Sequence, residues 1–193
     1  MTAENEVIYA IKNRRSIRFF KEKEVPDEII KELIDCGIHA PSALALYPWR
    51  FAVVKDKKLM KKISDYVRPV IIDSLKNAKT GGMTKKYLEM AGEKNFSIFY
   101  NASCLLLVLG RDDAIRADID CSLCAQNIML AAHSIGLGTC WIGSAGHLEK
   151  SRDLMSKLKI PEGYHLVASI ILGYPDEKRE MPKREKPEIV WIK

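Results

Sequence analysis

No uninterrupted apolar run in this chain is long enough to cross a bilayer, and Met1-Thr-Ala-Glu does not begin like a signal peptide. The expectation is a cytoplasmic protein with no membrane partner. Metal chemistry has little to stand on. His39, His133, His147 and His165 are scattered with no His-Glu-x-x-His, and Cys121-Ser-Leu-Cys124 has no second pair to complete a zinc site. That pair also falls inside a helical pattern rather than at its start, so it reads as two core thiols one turn apart. The five cysteines are an odd number, and a chain of 193 residues can bury a core without covalent staples, which suits reduced thiols. Hydrolytic and nucleotide signatures are missing too. Ile142 stands where a nucleophile elbow around Ser144 needs its first glycine. Trp141 stands where a dinucleotide fingerprint begun at Gly136 and Gly138 needs its third, and that run follows a helix rather than a strand. There is no Walker lysine pattern. With no evident acid, base or nucleophile, any chemistry has to come from a bound cofactor.

Charge narrows the partners further. The formal net charge is +6 but unevenly spread: residues 12–23 carry six basic residues against Glu22 alone, and 55–62 carry five lysines against Asp56. From 176 onward six basic and five acidic residues mix. A nucleic-acid binder needs a basic stripe with aromatics or a reading motif, and neither is present, so no nucleic-acid partner is expected. A modest positive excess also fits a site for a small phosphorylated anion. The densest part is Asn13-Arg14-Arg15-Ser16-Ile17-Arg18-Phe19-Phe20, just after a short helical pattern at 4–14. Alternation in an extended segment would send Arg14, Ser16 and Arg18 to one side, and two planar guanidinium groups with a hydroxyl suit a phosphate.

The rest of the chain reads as one α+β domain over 1–193 with no repeats and no dividing linker. Val25-Pro26-Asp27-Glu28 opens a second helix. Residues 50–54 predict a buried strand, 56–77 a helix broken by Pro69, and 84–92 a weak helix after a flexible joint at Thr80-Gly81-Gly82-Met83. Cys104–Gly110 is apolar enough for a central strand. A strong helix is predicted over 118–135, ended by Gly136-Leu137-Gly138. A short strand or loop from 139, a helix at 148–158 and a last strand at 164–172 follow. Ile189-Val190-Trp191-Ile192 is apolar enough to pair with a sheet edge, possible in another chain, at the end of a polar arm spanning 174–193. Gly143-Ser144-Ala145-Gly146 would let backbone amides approach a flat ligand.

Taken together, these stretches resemble the nitroreductase family of FMN-dependent enzymes, nearly end to end. Arg14-Arg15-Ser16-Ile17-Arg18 resembles its opening flavin-phosphate motif, and Ala40-Pro41-Ser42-Ala43-Leu44-Ala45-Leu46-Tyr47-Pro48-Trp49-Arg50-Phe51 its Ala-Pro-Ser-x-x-Asn-x-Gln-Pro-Trp-x-Phe stretch. Tyr100-Asn101-Ala102 is similar to its Asn-Ala-Pro strand entry, with Ser103 in place of Pro. Asp120–Ala132 followed by Gly136-Leu137-Gly138-Thr139-Cys140-Trp141-Ile142-Gly143 is the most specific match.

The resemblance implies a central, mostly antiparallel sheet flanked by helices and an intertwined homodimer with FMN at the subunit interface. It assigns Arg14, Arg15, Ser16 and Arg18 to the phosphate, ribityl chain or pyrimidine edge. Pro41 and Ser42 would reach the flavin from the partner subunit, and Trp141, Ile142, Gly143 and Ser144 would line the isoalloxazine. Arg184 and Lys186, with Lys183 as competitor, would complete phosphate binding. The implied activity is ping-pong hydride transfer from NAD(P)H to a nitroaromatic, quinone or similar acceptor. Residues about 65–98, by their position between core elements and their Gly81-Gly82 joint, are expected to act as a lid that sets substrate choice. Reductive dehalogenation or flavin fragmentation on the same fold is the alternative, and a non-catalytic protein binding a phosphorylated ligand or nucleic acid is the alternative from another class. Ala45 and Tyr47 stand where the family often has Asn and Gln, so a more apolar pocket and a looser hold on the flavin are expected.

Overall fold

The computed structural model describes residues 5–76 and 82–193. Thr80 and Gly81 of the expected joint lie outside the described residues. Six α-helices and four strands are described: α1 (Glu6–Asn13), α2 (Asp27–Ile38), β1 (Trp49–Val54), α3 (Lys57–Lys76), α4 (Gly82–Gly92), β2 (Cys104–Arg111), α5 (Ala117–Ser134), β3 (Gly138–Trp141), α6 (Arg152–Lys157) and β4 (Tyr164–Gly173).

β2 and β4 form the middle of a sheet ordered β1-β2-β4-β3, and every pairing between these strands is antiparallel. Alternate residues of the central strands bury on opposite faces. Leu105, Leu107, Leu109 and Ile171 pack with α3 and α6, while Leu106, Val108, Ile170 and Leu172 pack with α2 and α5. Both faces being covered is why β2 reads as an unbroken apolar run rather than an alternating one.

Local chemistry sets the ends of the helices. Asn5 caps α1, its side chain accepting from Ile8 N at 2.9 Å. Ser151 caps α6 through Leu154 N at 3.3 Å. α5 ends where Gly136 takes φ +79°, letting Leu137 N reach back to Ala132 O at 2.8 Å.

Four expectations change. Residues 50–54 do form a strand, but β1 is an edge strand with a single neighbour, β2, and Val53 is 43% exposed. α3 is assigned as one helix from Lys57 to Lys76 with Pro69 inside it. Ile63, Val67 and Ile71, one turn apart and all buried, hold it to the core on both sides of the proline, which offsets the lost backbone bond. The helix expected at 148–158 is instead a 3-10 segment, Gly143–Lys150, followed by the short α6. Ile189, Val190, Trp191 and Ile192 form no strand within the chain and are 62–96% exposed.

The start of the arm is tied down. Lys21 N donates to Tyr174 O and Asp176 N to Phe19 O, each at 2.9 Å, and the Lys23 ammonium lies 4.2 Å from the Tyr174 ring centre. The N-terminal basic segment and the beginning of the arm therefore run side by side.

Candidate functional site

Arg14 closes α1, its N–H bonding Ala10 O at 2.9 Å. The Arg15 guanidinium turns back onto the same helix end, donating to Lys12 O at 2.7 Å and Arg14 O at 2.9 Å. This fold-back brings Arg15 into the same cavity as Arg14. Ser16 bridges Thr139 in parallel, and Ile17 N donates to Thr139 O at 2.9 Å. Gly138 permits this close approach: a Cβ there would sit 2.9 Å from the Cβ of Ile17. The basic segment is thereby laid along β3.

A cavity of about 330 Å³ opens at this junction, lined by Arg14, Arg15, His133, Thr139 and Arg179 among others. Basic side chains outnumber the one carboxylate in its lining, with Arg14, Arg15, Lys178 and Arg179 against Glu177. Burial pushes the Arg14 pKa down, Cys140 opposes this, and Arg15 and Arg184 push it down further, so the arm brings Arg184 within electrostatic range of Arg14. Burial also lowers the His133 pKa, with Arg14 and Arg15 adding to the effect. That carboxylate, Glu177, accepts from Arg18 N at 2.5 Å and Phe19 N at 3.1 Å, and pairs with Arg179 Nε at 2.8 Å, which leaves Arg14 and Arg15 without a carboxylate of their own in the lining. Arg15 Nε and Thr139 Oγ1 are buried with no hydrogen-bond partner among the described residues. Crowded guanidinium groups, a buried donor and an unpartnered hydroxyl form a donor set suited to a multiply charged oxyanion.

Arg18 faces a different environment. Its guanidinium carbon lies 5.7 Å from the Tyr100 ring centre, and Phe96 meets Tyr100 edge-on at 5.7 Å and Tyr87 edge-on at 6.0 Å. Tyr100 and the following Asn101 both take positive φ, 50° and 56°. Burial raises the Tyr87 and Tyr100 pKa values from 10.0, so both phenols stay neutral near pH 7. Ser144 works in the opposite direction on Tyr87, which puts α4 against the segment after β3. There Ile142 N donates to Ser169 O at 2.7 Å, and Ile142 is buried. Gly143 and Gly146 have open space where a Cβ would be, so their backbone stays approachable.

Pro41 and Ser42 lie on a third element, the flap between α2 and β1. The Ser42 hydroxyl donates to Asp120 Oδ2 at 3.1 Å and accepts from Tyr47 N at 2.9 Å, while Ala43 N donates to the same Asp120 oxygen at 3.0 Å. Asp120 lies in the first turn of α5 and His133 in its last. Thirteen residues at 1.5 Å each separate them by about 20 Å. Within one chain the flap and the arginine cavity therefore sit at opposite ends of α5.

The structure thus joins Arg14, Arg15, Ser16 and Arg184 around β3, sets Trp141, Ile142, Gly143 and Ser144 at the end of that strand, and leaves Pro41 and Ser42 apart. Lys186 follows Arg184 on the exposed arm. Thr139, His133, Tyr87, Tyr100 and Asp120 escaped the reading of the sequence for roles of their own. Thr139 and Asp120 stood inside matched stretches, but their roles depend on residues 123 and 78 positions away. Burial lifts the thiols of Cys121 and Cys124 to about 12, so neither is a ready nucleophile. Among the described residues no group of three His, Cys, Asp or Glu is placed to hold a metal, and no helix is long and apolar enough to cross a membrane.

Comparison with known proteins places this geometry in context. The Nitroreductase family model matches residues 11–174. A relative from Methanothermobacter thermautotrophicus, provisionally named NADH dehydrogenase/NAD(P)H nitroreductase, is 33% identical over 172 residues, covering 89% of this chain and 78% of its own. An iodotyrosine deiodinase from Hydra vulgaris is 27% identical over 210 residues, covering 98% of this chain and 73% of its own. The solved structure of a nitroreductase with bound FMN from Desulfitobacterium hafniense superposes with a TM-score of 0.81 at 27% identity, covering 98% of this chain and all of that one. By the family match across 11–174, the relative at 33% identity and the α+β sheet order they accompany, the chain belongs to the nitroreductase family.

Proposed function

We propose that this protein is an FMN-dependent oxidoreductase that takes reducing equivalents from NAD(P)H and delivers them to a nitroaromatic, quinone or similar flat acceptor in a ping-pong cycle. The observation that carries the reading is the arginine cavity on β3, where Arg15 Nε and Thr139 Oγ1 are buried and unpartnered beside Arg14 and Arg184. This donor set fits the phosphate of FMN. Bound there, FMN would supply the hydride-carrying flavin ring that the chain's own side chains do not provide.

The chain's residues then divide the work. Arg14, Arg15, Ser16 and Arg184 hold the phosphate, with Lys186 as the second basic residue of the arm. Arg18, the charge set among the Tyr100, Phe96 and Tyr87 rings, steadies negative charge on the reduced flavin. Trp141, Ile142, Gly143 and Ser144 form the flavin bed with backbone amides exposed at Gly143. Of the stretch 65–98, the described parts 65–76 and 82–98 would cover it, with Tyr87 and Phe96 supplying an aromatic surface that excludes water; 77–81 lie outside the described residues. Pro41 and Ser42 stand about 20 Å along α5 from the phosphate cavity, so they complete a site only when a second copy supplies them. That separation supports a homodimer with the flavin between subunits.

The deiodinase relative supports a second reading on the same cofactor, reductive removal of a halogen. Two measurements separate these readings. The purified protein should show a flavin absorption spectrum after FMN addition, and it should bleach anaerobically with NADH or NADPH. Bleaching followed by reoxidation with a nitroaromatic or quinone supports the first reading. Flavin that binds, resists both nicotinamides and, once reduced by dithionite, is reoxidised by a halotyrosine with halide release supports the second. Absence of flavin binding defeats both.

A further inference from the structure

We propose that Asp120 is the positioning residue for the far wall of the cofactor site. Its buried carboxylate holds the flap 41–47 in an outward-facing, left-handed conformation that presents Pro41, Leu44 and Tyr47 to a second copy's flavin. The inference rests on the FMN reading above.

Asp120 is only 4% exposed, and both of its flap contacts fall on one oxygen, from the Ser42 hydroxyl and Ala43 N. The same Ser42 hydroxyl accepts from Tyr47 N, so both ends of the loop are tied back to a single carboxylate. Between these ties the backbone is strained. Leu44, Ala45 and Tyr47 take φ of 53°, 54° and 44°, a region that L-residues enter at a cost, and none of the three is glycine.

Burial does not hold them there. Leu44 is 78% exposed and Tyr47 58%, and the packing that Tyr47 gains is a tilted contact with Trp49 at 5.7 Å. Such strain persists only where the surroundings over-determine it. Ala45 N to Ser42 O at 3.2 Å and Leu46 N to Ala43 O at 3.1 Å close the turn within the loop, and the Asp120–Ser42 pair ties its two ends to α5. The N-terminal end of α5 favours a carboxylate at this position. The consequence for specificity is direct: the two side chains held outward, Leu44 and Tyr47, are apolar and aromatic, so the wall they offer suits a flat, weakly polar acceptor.

The test compares Asp120→Asn, Asp120→Leu and Asp120→Leu/Leu44→Gly in the full chain. It reads FMN affinity by flavin fluorescence, acceptor KM and kcat, and amide hydrogen exchange at Ala43 and Tyr47. Asn keeps an oxygen that can take both donors, so FMN affinity should stay within about twofold. Leu removes the acceptor: both amides should lose protection and FMN should bind about tenfold more weakly. Acceptor KM should rise more than kcat falls. Glycine at position 44 carries no left-handed cost, so the double variant should recover part of the loss.

The proposal is overturned if Asp120→Leu exposes the amides while FMN affinity and KM stay unchanged, if Asn is as damaging as Leu, or if the glycine recovers nothing. Should Asp120→Leu fail to fold, Ser42→Ala removes the hydroxyl that links Tyr47 N to the carboxylate and leaves the Ala43 N bond to Asp120 in place. It should then expose the Tyr47 amide and raise acceptor KM, and no change in either overturns the proposal. If the unmodified protein binds no FMN, the FMN reading fails by itself. Amide exchange then still decides whether Asp120 holds the flap: lost protection in Asp120→Leu supports the hold, and retained protection overturns it.

Discussion

Arg14 and His133 share one electrostatic environment, so a single ligand should act on both. Replacing Arg14 with Ala removes a charged hydrogen-bond donor, which is worth about 1.5–3 kcal/mol. FMN affinity should accordingly fall by about tenfold to a hundredfold, measured by fluorescence titration; unchanged affinity would remove Arg14 from the phosphate site. His133 offers an independent readout. Its pKa lies below 6.5 because it is partly buried and because Arg14 and Arg15 repel a proton there. A bound phosphate dianion offsets that repulsion, so FMN should move the His133 titration to higher pH in an NMR experiment, and a downward or absent movement would place the phosphate elsewhere. At the far end of β4, His165 behaves in the opposite way. Partial burial alone would lower its pKa, but hydrogen bonds to Asp112 at 2.6 Å and Asp118 at 3.0 Å, with their charges, raise it above 6.5. A group whose folded pKa is raised contributes stability fully below its unfolded value and loses that contribution as pH rises through the folded value. The Tm advantage of the unmodified protein over His165→Gln should therefore be largest below pH 6.5 and shrink above it. An advantage that grew with pH would show that the imidazolium is not what those aspartates hold.

Among the elements, β3 carries most of the proposed site, since the arginine segment lies along it and residues 141–144, the proposed flavin bed, follow at its end. Gly138 is what lets the two come together. In Gly138→Ala the new methyl would meet the Cβ of Ile17 itself at 2.9 Å, an atom that no rotamer can move. The segment 14–18 must then lift from β3, and overpacking of this kind costs about 1–3 kcal/mol. Chemical denaturation should show that loss, with FMN affinity falling in the same variant; full retention of both would mean that the segment is not anchored there. The same element illustrates what sequence reading could reach. The apolar run of β2, the α5 period and the glycine stop were visible because each is set by neighbours within a few positions. The Arg-Arg-Ser-Ile-Arg stretch stood out as a basic cluster for the same local reason. Thr139 as its partner did not, since nothing local pairs positions 16 and 139. Pro69 misled for a related reason: propensity gives the local cost, whereas Val67 and Ile71 belong to a core assembled from the whole chain. The flap was legible as a family stretch, but its left-handed backbone was hidden, because Leu44, Ala45 and Tyr47 are not residues that announce positive φ.

For the molecule as a whole, apolar surface and the divided site point to one assembly. Val7 and Ile11 on α1, Ile119 and Leu123 on α5, and Ile189, Val190, Trp191 and Ile192 on the arm are all more than 40% exposed on the single chain. Apolar side chains gathered on two helices and an arm are what a stable pairing of copies covers, at about 800 Å² per partner for an ordinary interface. If the flap of one copy completes the flavin site of the other, dimer formation and FMN binding are linked: each must strengthen the other by the same factor. Sedimentation at graded protein concentrations should then show FMN shifting the monomer–dimer balance toward dimer, and flavin should be released on dilution at the concentration where dimers dissociate. Removing residues 188–193 takes Trp191 and its neighbours from the arm but leaves Arg14, Arg15, Thr139 and Arg184 in place. The shortened protein should need higher concentrations to dimerise and should lose FMN affinity in proportion, recovering it as concentration rises. FMN that stays bound to isolated monomers with undiminished affinity would mean that one chain holds the flavin unaided, and the 20 Å gap along α5 would then have to be bridged without a second copy.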